Sequence, residues 1–123
     1  MRALVQGSTA RRATVAFVWT LQVASAAMFL VAGGLKLAGA PLMVQPFGVI
    51  GLGQWFRYFT GAVEVISAVA LLVPSLALFG ALALAATMVG AVVTHLFIIG
   101  GNPVVPIVLL VATASIAWAK RND

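Results

Sequence analysis

The chain contains no cysteine. That absence excludes disulfides, thiol redox chemistry, thiolate metal sites and cysteine-ligated iron–sulfur clusters on this polypeptide. Acidic residues are nearly missing as well: Glu64 and Asp123 are the two in the chain. There is one histidine, His95. A metal site ordinarily takes three or four protein ligands, so no metal centre is expected here. A bis-histidine haem within one copy is excluded for the same reason. Paired carboxylates and a nucleophile beside an evident base are also lacking. The glycines between Gly48 and Gly53 follow no strand, so they do not read as a phosphate loop. No catalytic residue is assigned, and a stand-alone enzyme is not expected.

Charge of either sign is scarce in the middle of the chain. Between Arg12 and Lys120 the residues Lys36, Arg57 and Glu64 are the whole set of Asp, Glu, Lys and Arg. Hydrophobic residues make up 63% of the 123 positions and charged residues 7%. Soluble domains carry about 45–50% apolar and about 25% charged residues. So short and apolar a chain has too little polar surface to face water. It is built for lipid, where about 20 apolar residues cross the hydrocarbon. The formal charge of +5 sits mostly at the ends, on Arg2, Arg11, Arg12, Lys120 and Arg121. That placement anchors segments against an anionic membrane face and does not indicate a nucleic-acid partner.

Residues 1–12 read as a short basic cytoplasmic lead to one transmembrane domain over residues 13–121. The first span covers about residues 13–35. Arg11 and Arg12 precede it as in a signal peptide, but an h-region runs about 7–15 residues; this stretch is longer and reads as a retained span. Residues 38–54 are broken by Pro41, Pro46 and several glycines, and are too short to cross. They read as an interfacial or re-entrant segment. Trp55, Phe56, Tyr58 and Phe59 then form either an aromatic belt or a ligand-stacking platform. The second span covers about residues 56–73, with a turn at Pro74 and Ser75. The third covers about 76–99 and ends at Gly100, Gly101, Asn102 and Pro103. The fourth covers about 104–119. The expectation is an all-α, four-helix transmembrane bundle. Both termini are basic, which places both in the cytoplasm.

Helical phase sorts the polar residues. At 100° per residue, Gln22, Ser25, Phe29 and Lys36 fall within an arc of about 60°. Arg57, Thr60, Glu64 and Ser67 fall within about 80°. Gly80, Thr87 and Thr94 repeat every seven residues, with His95 on the flank. Three spans therefore carry a polar or small stripe opposite branched aliphatics, the pattern of helices packed in a bilayer. Depth brings Lys36, Arg57, Glu64 and His95 together in the outer half of the bundle. A charge at bilayer depth costs about 2.5–3.5 kcal/mol on insertion scales, so Glu64 needs a partner. Arg57 lies two turns away at i, i+7, and Lys36 or His95 reaches it more easily. These four are the candidate ligand or proton-site residues. Each also has a plainer reading. Glu64 with a cation clamps two helices, His95 is a packing residue, and Lys36 and Arg57 snorkel to the interface.

Three stretches resemble the DoxX-like family of small bacterial membrane proteins. They are Phe29-Leu-Val-Ala-Gly-Gly-Leu-Lys-Leu37, the block Gly53-Gln-Trp-Phe-Arg-Tyr-Phe-Thr-Gly-Ala-Val-Glu64 continuing to Pro74, and Met88-Val-Gly-Ala-Val-Val-Thr-His-Leu-Phe97 with its glycine turn. The resemblance runs from about Phe17 to Trp118. It implies four transmembrane helices in the bacterial inner membrane and an association with membrane redox systems, the family's name coming from a thiosulfate:quinone oxidoreductase subunit. The missing cysteine speaks against direct sulfur exchange here. The functional expectation is an accessory or binding subunit that holds a quinone or other lipophilic molecule near Glu64 and His95. Its partners are the lipid bilayer and another membrane or redox protein, or further copies of itself. The alternatives are a small proton-coupled transporter with Glu64 as proton site and a purely structural partner of another membrane protein.

Overall fold

The computed structural model describes residues 2–122. Among them the order is α1 (Arg2–Ala38), α2 (Pro41–Ile50), α3 (Trp55–Leu71), a single 3₁₀ turn (Pro74–Leu76), α4 (Ala77–Thr94), a π-helical turn (His95–Ile99) and α5 (Val104–Lys120). The basic lead is not set apart from the first apolar stretch. Backbone hydrogen bonding continues through it, and α1 is one rod of 37 residues, about 55 Å at 1.5 Å per residue. Two helical stretches are long and apolar enough to cross a membrane, Gly7–Ala38 and Pro74–Ile99. The helices α3 and α5 have 17 residues each, about 25 Å of rise.

The four long helices close a ring: α1 packs on α3, α3 on α4, α4 on α5 and α5 back on α1. Two close approaches set this ring. A Cβ on Gly33 would lie 2.9 Å from the Gly61 carbonyl oxygen, and one on Gly61 would lie 3.0 Å from the Gly33 carbonyl oxygen. On the other side of α3, a Cβ on Gly80 would lie 2.7 Å from the Ser67 carbonyl oxygen. Helices in lipid gain their attraction from such contact, since hydrocarbon outside is as apolar as leucine inside.

What fills the ring and what covers it are inverted relative to a water-soluble protein. Gln22, Ser25, Arg57, Glu64, Ser67 and Thr113 are buried, alongside Phe29, Leu71, Leu84 and Ile116. The exterior is apolar, with Phe97 80%, Ile66 69% and Phe79 66% exposed. The phase argument is met residue by residue: Gln22, Ser25 and Phe29 face in on α1, and Arg57, Glu64 and Ser67 on α3. Gly80 is buried and Thr87 and Thr94 are half-buried on α4. Gln22 also caps a neighbour. Its Nε2 donates to the Leu71 carbonyl at 2.9 Å, one of the α3 C-terminal acceptors that the helix itself leaves without a donor.

Residues 41–50 form a helix where the prolines and glycines had indicated an irregular interfacial segment. Pro41 occupies the first turn, where its missing N–H costs nothing. Gly51, at φ 82°, ends the helix and donates to the Phe47 carbonyl. Tertiary contact outweighs Pro46 in the helix interior: Phe47 is buried and meets the Phe56 ring edge-on at 5.8 Å between centroids. Thus α2 sits across one end of the ring, against α1, α3 and the π turn.

Candidate functional site

The close approach of Gly33 and Gly61 sets α1 against α3 one turn from Lys36 and Glu64. Lys36 Nζ donates to Glu64 Oε1 at 2.9 Å, with side-chain exposures of 14% and 2%. The pair is interhelical and almost sealed. Glu64 Oε2 is buried with no hydrogen-bond partner among the described residues.

Beside this pair lies a cavity of about 430 Å³, in the size range of small-molecule sites. Lys36, Glu64 and His95 line it at its polar part. Phe47 and Ile50 reach it from α2, and Phe56 from α3. Thr60, Thr87 and Thr94 line it too. Each donates its hydroxyl hydrogen to the carbonyl four residues earlier, at 2.8, 2.8 and 2.7 Å. Their oxygens are left as acceptors toward any ligand. His95 Nδ1 lies 2.8 Å from the Ala91 carbonyl oxygen. A carbonyl only accepts, so Nδ1 carries the hydrogen and Nε2 of the neutral ring is an acceptor. Lys36 supplies the donors. A ligand head with both an acceptor and a hydroxyl donor is matched by this set.

Three of the four sequence candidates thus meet around one cavity. Arg57 does not line it. Its side chain is buried and turned to the end of α1, where Nη1 donates to the Lys36 carbonyl and Nε donates to Gln54 Oε1 at 2.8 Å. Its guanidinium also lies 4.2 Å from the Tyr58 ring centroid. Gln54 Nε2 in turn donates to the Val44 carbonyl at 3.3 Å. Arg57 therefore ties α1, α2 and α3 together and fixes the backbone that carries Lys36. The aromatic run divides between its two readings: Phe56 and Phe59 line the cavity, whereas Trp55 and Tyr58 face outward. Phe47 and Ile50 were not among the sequence candidates. Their signal was the apolar character of a segment whose helical fold only tertiary contact reveals.

The apolar exterior, the two spanning-length helices and the buried ion pair define a membrane protein. The DoxX-like family model matches residues 20–119, and the chain belongs to that family. No curated protein and no solved structure matches it.

Proposed function

We propose that the chain crosses the bacterial inner membrane four times with both termini in the cytoplasm, and that its cavity binds a quinone-type amphiphile on behalf of a membrane redox system. Several observations support the topology. The four long helices alternate in direction around a closed ring. The basic C-terminal turn of α5 lies beside the N-terminal half of α1, with Lys120 Nζ 5.6 Å from the Trp19 ring centroid. Aromatic rings beside cations are the usual furniture of a membrane interface.

One observation carries the ligand reading: an apolar cavity lined by Lys36, Glu64 and His95, in which the ion pair to Glu64 holds Lys36. A quinone-type head presents carbonyl acceptors to Lys36 in its oxidised form and hydroxyl donors to His95 Nε2 and the threonine oxygens in its reduced form. When bound, such a molecule carries electrons and protons; the chain's residues hold and orient its head and keep water from it. Glu64 fixes Lys36 in place for that contact.

The test is titration of the nanodisc-embedded protein with a decyl-substituted benzoquinone. The wild type is expected to bind saturably. His95→Ala removes one hydrogen-bonding group and is expected to weaken binding about 3- to 10-fold. Saturable binding that is indifferent to His95→Ala contradicts the assignment of the head to this cavity. If no binding occurs and proton-coupled uptake is lost in Glu64→Gln, the site belongs to a transporter.

A further inference from the structure

The cavity is not sealed on the side of α3 and α4. Ala86 and Gly90 line it and are themselves exposed, as is Phe59 across from them. Ala86, Gly90 and Thr94 stand at i, i+4 and i+8 on one face of α4, a track of roughly 12 Å along the helix. Thr87, Ala91 and His95 run beside it with the same spacing, also lining the cavity. A Cβ built on Gly90 meets nothing within 4 Å. The missing side chain at Gly90 therefore leaves space rather than permitting a close helix contact, unlike Gly33, Gly61 and Gly80. On the same two helices Val89, Val93 and Ile66 are exposed, part of the apolar exterior that meets hydrocarbon. Lys36, Glu64 and His95 line the same cavity.

We infer that the opening between α3 and α4 is a lateral passage from the lipid, and that Gly90 sets its width: the ligand is an amphiphile whose alkyl or isoprenoid tail lies along the Ala86–Gly90–Thr94 track while its head reaches Lys36 and His95. This rests on the ligand reading above and adds the route and the seat of the tail. A head without a tail fills only the inner part of the cavity. A tailed molecule must also occupy the track, because the cavity walls formed by Phe47 and Phe56 from α2 and α3 leave the hydrocarbon side as its way out.

Two benzoquinones with the same head, one carrying a decyl chain and one a methyl group, separate the parts. Both are titrated against wild type and Gly90→Leu in nanodiscs of one lipid composition, so that partition of each probe into lipid cancels between proteins. Leucine is a better helix former than glycine, and a Cβ at Gly90 meets nothing within 4 Å, so the variant is expected to fold. Gly90→Leu is expected to weaken decyl-compound binding about fivefold or more, while the methyl compound stays within about twofold. Val111→Phe, which adds bulk on the exposed side of α5, away from the cavity lining, is expected to change neither. Equal weakening of both probes, or unchanged binding of the decyl compound, overturns the passage while leaving the ligand site standing. Failure of the wild type to bind either probe overturns the passage together with the ligand reading.

Discussion

Glu64→Ala is expected to destabilise the folded protein by about 3–5 kcal/mol, the usual result of removing one partner from a buried ion pair. Its loss leaves the Lys36 ammonium, 14% exposed, among apolar neighbours with no counter-charge. Glu64→Gln is expected to cost less, because the amide oxygen still accepts from Lys36. Removing both charges with Lys36→Met and Glu64→Leu is expected to restore stability close to wild type, since apolar replacement of a buried pair is often neutral. The double variant is also expected to bind no benzoquinone, having lost the donor at the polar end of the cavity. Stability and binding therefore separate in a single protein. Unfolding free energies in mixed micelles for the four combinations yield the coupling between the two positions. A Glu64→Ala variant within about 0.5 kcal/mol of wild type would show that the pair does not hold α1 against α3.

Gly61→Val is expected to be nearly as damaging, and for a different reason. A Cβ at Gly61 would lie 2.9 Å from Lys36 Cβ and 3.0 Å from the Gly33 carbonyl oxygen. The carbonyl belongs to a helix backbone and cannot turn aside, so the two helices must separate. Overpacking costs about 1–3 kcal/mol, and separation of the helices also stretches the ion pair one turn away. The upper end of that range is therefore expected, together with weaker benzoquinone binding. Gly34→Ala is the internal control: a Cβ there meets nothing within 4 Å. That substitution is expected to be neutral or to stabilise by up to about 1 kcal/mol through helix propensity. Equal responses of Gly34→Ala and Gly61→Val in the same unfolding assay would contradict the close approach.

The inward faces of α1 and α3 were legible in the sequence because helical geometry and lipid act on each residue separately. Gln22, Ser25, Glu64 and Ser67 repeat on a period of 3.6 residues, and hydrocarbon drives each toward the interior. The choice of partner for Glu64 was less legible. Phase left Lys36 and His95 both within reach, and the decision came from Gly33 and Gly61, which bring α1 to α3 beside Lys36. Arg57 lies outside the cavity lining for a related reason. Its target is the backbone carbonyl of Lys36, and backbone acceptors leave no trace in side-chain composition. Residues 41–50 carried helix-breaking signals, and their helix depends on Phe47 meeting Phe56, a contact between distant elements. The π turn at His95–Ile99 has no compositional mark either, since one extra residue in a turn changes the hydrogen-bond register and nothing else.

The inversion of polar inside and apolar outside underlies all of this, and it can be measured directly. The cysteine-free chain accepts single nitroxide labels on cysteines substituted at Ile66, Leu82 and Val111, which are 69%, 51% and 61% exposed on three different helices. In liposomes, collision with oxygen is expected to be frequent at all three positions and collision with a water-soluble nickel chelate nearly absent. Frequent nickel collisions at these positions would mean that water, not hydrocarbon, surrounds the helices, and would contradict the account.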